Sequence, residues 1–281
     1  MKIRRLTDVI GAEVEGVDLS GPVAAADLAA IKQAFTDHGV LIVRGQELDP
    51  GQLIRFARTF GPDEPYGSTL SEFLLPGHPQ LISLSNIVEN GRRLGVQEAG
   101  QYWHTDRSYV KQPAWSSMLY ARRIPHDDRG LPLGDTLFAS TVAALAALPA
   151  AERARLRTLS AWHEYVFRFS APNDSLPGVA HPLILRHPLS GAECLYVNAG
   201  FTRRVLGLAP EESQALLEHL YAHTAGDAFV YRHKWRVGDV LMWDNYSTVH
   251  NAVGNYGPHQ PRLMWRATIK GFPLQHAAQA A

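Results

Sequence analysis

Gly39-Val40-Leu41-Ile42-Val43-Arg44-Gly45 reads as a buried β-strand: four aliphatic residues, rich in β-branching, bounded by glycine on each side. Upstream, residues 24–38 carry Leu28, Ile31 and Phe35 at helical spacing, and Gly39 stops that helix. Residues 12–19 alternate in part through Val14, Val17 and Leu19 and predict a short strand. Downstream, residues 50–60 predict a second amphipathic helix with Leu53, Phe56, Ala57 and Phe60 on one face. Further strands are expected at 81–87, 115–121, 240–244 and 263–271, and helices at 140–147, 150–159 and 210–224. Residues 182–186 and 194–198 flank His187-Pro188-Leu189-Ser190-Gly191 as a hairpin. Strands, then helices, then strands again do not give the βαβ rhythm of a parallel sheet. The fold class expected is mainly β with flanking α-helices, its core a jelly-roll barrel.

The chain has 281 residues, 46% of them hydrophobic and 19% charged, which suffices for a substantial core. With no repeat, low-complexity tract or linker in sight, residues 1–281 are read as one domain. Lys plus Arg and Asp plus Glu both number 27, which argues against a general nucleic-acid binder, since such proteins need a basic excess. The single cysteine, Cys194, excludes an intramolecular disulfide framework and a cysteine-rich zinc or iron–sulfur site. Cys194 is expected to be a small core residue in a strand. No apolar signal core follows the N-terminus and no run nears the roughly 20 apolar residues of a membrane helix. No membrane association and a cytoplasmic location are therefore expected.

Thirteen histidines invite a search for metal ligands. Tyr102-Trp103-His104-Thr105-Asp106 sets a His and an Asp two residues apart, on the same face if the segment is a strand. His250, in Thr248-Val249-His250-Asn251-Ala252, is the best third ligand. Two histidines and one carboxylate on one face leave three positions of an octahedral ion open, the facial triad of non-haem Fe(II) oxygenases. Taken singly, a His-x-Asp is more often a surface pair, and a lone His250 is as often a hydrogen-bonded core histidine. Arg262 and Arg266, four apart in a strand-like apolar stretch, face one side together with Met264. If that side is internal, anionic ligands relieve the cost of desolvating both, and Arg pairs with carboxylates bidentately. The competing reading is two solvent-facing arginines or, for Arg266, a salt bridge inside the barrel. Thr136, in Gly134-Asp135-Thr136-Leu137, offers a hydroxyl to a carboxylate, or else belongs to a turn feeding the next helix. His219 and His223 are i, i+4 on a helix without the adjacent Glu of an HExxH site and are expected to face solvent.

Together these pieces resemble the taurine dioxygenase family of Fe(II)- and 2-oxoglutarate-dependent oxygenases, which includes 2,4-dichlorophenoxyacetate dioxygenases. The likeness runs in order through Gly39–Gln46, Phe56-Ala57-Arg58-Thr59-Phe60-Gly61-Pro62, Trp103–Asp106, Gly134-Asp135-Thr136, Val230-Tyr231-Arg232-His233, Trp235-Arg236-Val237-Gly238-Asp239, Trp243-Asp244-Asn245, His250 and Arg262–Arg266. The resemblance implies a double-stranded β-helix, the jelly roll of a cupin-like barrel, with iron on His104, Asp106 and His250, and the distal carboxylate of 2-oxoglutarate on Arg262 with help from Thr136. It places the acidic group of the prime substrate at Arg266. Family halogenases lack the metal carboxylate, so Asp106 implies hydroxylation of a C–H bond, with O2 consumed and succinate and CO2 formed. Relatives are commonly dimers or tetramers, which implies a homodimer or homotetramer.

Taurine-specific relatives carry a histidine and a tyrosine soon after the Phe-Gly turn and an asparagine four residues before the first metal histidine. A gap-free count puts Tyr66, Thr69 and Gly100 there, so taurine is not the expected substrate. Residues 65–100 are expected to form a substrate lid, with Tyr66, Asn86 and Tyr102 as pocket candidates and a small sulfonate or carboxylate as substrate. A zinc hydrolase on the same three ligands and a non-catalytic acid-binding barrel are the competing classes. The first leaves Arg262 and Thr136 without a role, and the second has no use for an open metal site.

Overall fold

The computed structural model describes residues 1–66, 68–97, 100–165 and 178–276. Its main sheet has eight strands in the order Lys2–Arg5, Ala12–Glu15, Val40–Val43, Val240–Asp244, Ser116–Arg123, Leu263–Ile269, His78–Ser85 and Leu74–Leu75. All neighbours are antiparallel except Ala12–Glu15 and Val40–Val43, which run parallel. A second sheet, Val230–His233, Thr136–Ser140 and Thr248–Ala252, faces it. The two are the facing sheets of a jelly roll, and they do not close into a hydrogen-bonded ring.

The opening strand shows why its pattern is unbroken. Val40 and Ile42 pack inward with Leu119, Leu241, Trp243, Met264 and, from the second sheet, Phe138. Leu41 and Val43 pack outward against helices Ala25–His38 and Pro50–Arg58 through Ile31, Phe35, Leu53 and Phe56. Both faces are buried, so no alternation survives in the sequence. Gly39 ends the first helix in the left-handed region at φ 67°, where its N–H caps the Phe35 carbonyl. Asp49 and Gln52 form a reciprocal capping box for the second helix. Helices Thr141–Ala147, Ala150–Leu156 and Pro210–Thr224 build a third cluster with Leu183, Ile184 and Leu195.

Several expectations are corrected. Strand 12–19 stops at Glu15, because Gly16 turns the chain at φ 76°. Residues 65–100 are not a lid throughout: His78–Ser85 within them is paired with Leu263–Ile269 in the main sheet, and residues 67 and 98–99 lie outside the described set. Gly134-Asp135-Thr136 feeds a strand, not a turn, and that strand is the centre of the second sheet. The expected hairpin forms between Ile184–Arg186 and Glu193–Leu195, with Cys194 buried. His223 is turned inward and hydrogen-bonded to the Ala144 carbonyl at 2.8 Å, whereas His219 is exposed beside Glu152.

Candidate active site

His104 and His250 meet through their backbones. They form an isolated antiparallel bridge, with N–H···O distances of 3.0 and 2.8 Å in the two directions. Directly opposed residues of an antiparallel pair project to one face, so the two imidazoles lie with ring centroids 4.1 Å apart. The segment around His104 is not the regular strand that the two-residue spacing suggested. The pairing is this single bridge, and the chain then turns, with Arg107 in the left-handed region at φ 59°. Asp106 is brought back by that turn and by its N–H, which donates to Asn245 Oδ1 at 3.2 Å. Its Oδ1 stands 3.7 Å from His104 Nε2 and 4.0 Å from His250 Nε2. One ligand atom from each of the three residues lies within 4.8 Å of the others, and all three residues are buried.

The protonation states suit a cation. His104 Nδ1 faces the Tyr102 carbonyl at 2.8 Å, so the proton sits there and Nε2 presents a lone pair. Burial holds both imidazoles below the usual histidine range. Burial alone would raise Asp106, but Arg266, the two imidazoles and a hydrogen bond from Ser117 hold its carboxyl well below the usual carboxylate range. Two neutral imidazoles and a carboxylate form a set of donors that fits ferrous iron. His250 rests against Trp243, centroids 4.7 Å apart, and against Phe138.

A cavity is lined by Gln101, Gly134, Ala252, Val253, Tyr256 and Arg262 among others, Ala252 lying two residues after His250 on the same strand. Arg262 is 8% exposed, lies over the Tyr256 ring at 5.8 Å and has an unpartnered Nε. Among the described residues no carboxylate reaches it within salt-bridge distance. Thr136 is buried on the neighbouring strand; its hydroxyl accepts from Trp235 Nε1 at 3.0 Å and keeps its own proton to donate. Arg266 does form an ion pair, its Nη2 lying 2.6 Å from Asp106 Oδ2, while its Nε has no partner.

The three pocket candidates fare differently. Tyr66 bonds through its hydroxyl to the Arg266 carbonyl at 2.9 Å and to Thr268, and burial pushes it up to about 12. Asn86 lines the Arg262 cavity, but its amide is engaged with the Gly257 and Gln260 carbonyls and with the Arg262 N–H, so it anchors the loop that carries Arg262. Tyr102 supports His104 through its carbonyl and its ring. Tyr109 and Phe201, which no spacing pattern marked, stand beside the site: their rings are 4.9 Å apart, and Phe201 is 5.9 Å from His104.

A jelly roll with two facing histidines, an adjacent carboxylate and a buried arginine that lacks a carboxylate partner among the described residues is the architecture of a non-haem oxygenase that uses a keto acid. The chain belongs to the taurine catabolism dioxygenase TauD, TfdA family, whose model matches residues 2–268. Pentalenolactone F synthase of Streptomyces avermitilis is 34% identical, with 100% of this chain and 99% of that protein covered. The alpha-ketoglutarate-dependent 2,4-dichlorophenoxyacetate dioxygenase of Cupriavidus pinatubonensis is 33% identical over 94% of this chain and 95% of that protein. The crystal structure of a taurine dioxygenase from Burkholderia xenovorans matches with a TM-score of 0.81 at 31% identity, covering 96% of this chain and 91% of that one. The protein is thus an Fe(II)- and 2-oxoglutarate-dependent dioxygenase. The hydrolase and binding-protein readings lose their support. No described helix is long and apolar enough to cross a membrane.

Proposed function

We propose that the enzyme hydroxylates a C–H bond of a small organic anion, a carboxylate or sulfonate, and releases succinate and CO2. In this reading His104, Asp106 and His250 hold the iron, Arg262 and Thr136 hold the far carboxylate of 2-oxoglutarate, and Arg266 faces the anionic group of the substrate. The bound iron, keto acid and O2 supply the oxidation; one oxygen atom enters succinate and the other the substrate. The chain's own part is to orient and to exclude water. Arg262 fixes one end of the keto acid bidentately, and the buried imidazoles stay neutral and available.

The observation that carries the reading is Arg262: a buried cation with no carboxylate partner among the described residues, bordering a cavity that Ala252, on the strand of His250, also lines. An unpaired buried charge is costly unless a ligand completes it. The anionic substrate is supported by the spare donors of Arg266 and by relatives named for an aryloxyacetate and for taurine. The test is succinate release from 2-oxoglutarate with Fe(II), screened over small carboxylates and sulfonates. Stimulation by an acid, with the hydroxylated or cleaved product recovered, supports the proposal. A neutral substrate that turns over as well with Arg266 replaced by Met overturns its anionic part.

A further inference from the structure

The two oxygens of Asp106 have different surroundings. Oδ1 faces the imidazoles, whereas Oδ2 is 2.6 Å from Ser117 Oγ and 2.6 Å from Arg266 Nη2. Ser117 is fully buried on the strand Ser116–Arg123, opposite Trp243 on one side and Thr268 on the other. Two further groups reach its hydroxyl: Arg266 Nη2 at 3.1 Å and Asn245 Nδ2 at 3.4 Å. The amide orientation of Asn245 is set independently, because its Oδ1 accepts from Trp243 Nε1 at 3.0 Å and from the Asp106 N–H. Guanidinium and amide nitrogens only donate. Among the described residues the Ser117 proton therefore has one acceptor in reach, Asp106 Oδ2.

We infer that Ser117 is a positioning residue for the metal carboxylate. It rests on the reading of His104, Asp106 and His250 as the metal ligands. With Asn245 behind it, Ser117 holds Asp106 so that one oxygen is offered to the metal and the other is turned away. A carboxylate held in this way would offer the metal a single oxygen beside the two imidazoles. Arg266 shares Oδ2, but it sits on a long side chain whose remaining donors face the substrate. Ser117 is short, enclosed and on a central strand, so it keeps Asp106 in place when an anion draws on Arg266. Loss of an outer hydrogen bond of this kind weakens metal binding by about 10–100-fold.

The test is Mn(II) binding by calorimetry to the metal-free full chain, alone and with 2-oxoglutarate, for wild type, Ser117→Ala, Ser117→Cys and Asp106→Ala. Thermal midpoints are measured in parallel. Expected is a loss of about 10–100-fold in Mn(II) affinity for both Ser117 variants, because Cys fills the space but donates only weakly. Wild-type affinity in Ser117→Ala, or full restoration by Cys, overturns the inference, since shape alone would then suffice. Should Ser117→Ala fail to fold, Ser117→Cys decides it. The two readings separate on Asp106→Ala. If it loses Mn(II) while the Ser117 variants do not, only the positioning role falls; if it binds like wild type, the ligand assignment falls with it.

Discussion

Arg262 is a side chain that the ligand-free protein holds at a cost. It is buried, its Nε is unpartnered, and burial lowers its affinity for its proton. Replacing a buried unpaired charge with an apolar group of similar length removes that cost. Arg262→Met is therefore expected to melt no lower than wild type when ligand-free, and to bind 2-oxoglutarate about 100-fold more weakly through loss of a bidentate partner. Calorimetric titration and a thermal melt measure the two effects. A lower melting point with unchanged 2-oxoglutarate affinity would make Arg262 a structural residue. Arg266 differs, because Asp106 already compensates it. The sequence already offered a salt bridge inside the barrel for Arg266 alone, and the folded chain supplies its partner, Asp106, while leaving Arg262 without a carboxylate among the described residues.

The segment Tyr102–Asp106 is held less by strand pairing than by what packs behind it. Gly200 donates its N–H to the Trp103 carbonyl at 3.0 Å. A Cβ at Gly200 would lie 2.6 Å from Tyr102 Cε2 and 2.8 Å from His104 Cβ. Gly200→Ala must displace this segment and disturb the bridge that makes the two imidazoles converge. Expected is a loss of about 10-fold or more in Mn(II) affinity, with an overpacking cost of about 1–3 kcal/mol. Wild-type affinity would show that the segment yields without moving His104. That His104, Asp106 and His250 gather at one place was legible from their residue types and the two-residue spacing. The shape that brings them together was not. It depends on a left-handed Arg107, the Asn245 amide and a glycine nearly 100 positions on, and none of these leaves a local periodic signal.

Across the whole molecule, the separated motif pieces turn out to be contacts. Arg44 pairs with Asp239 at 2.7 Å, and Arg232 with Asp135 at 2.6 Å, so stretches far apart in sequence lock strands together. Strands buried on both faces, such as Val40–Val43 and Val240–Asp244, were legible as apolar runs, whereas Lys2–Arg5 is too polar and exposed, and Val230–His233 too short and mixed, to stand out. The same burial makes the fold sensitive to acid. His163 is fully enclosed, stacked on Tyr196 at 5.6 Å and beside His181, and burial followed by the charge of His181 holds it well below the usual histidine range. An unfolded chain protonates this histidine near pH 6.5 while the folded chain does not, so the unfolded state binds more protons as the pH falls. Stability is therefore kept above about pH 6.5 and is lost below it, at about 1.4 kcal/mol per pH unit for each such histidine, until the folded pKa is reached. Urea midpoints of the metal-free protein at about pH 7.5 and about pH 5.5 measure the loss, and His163→Asn, which removes the titrating ring, should reduce it. An equal loss in wild type and His163→Asn would place the acid sensitivity elsewhere.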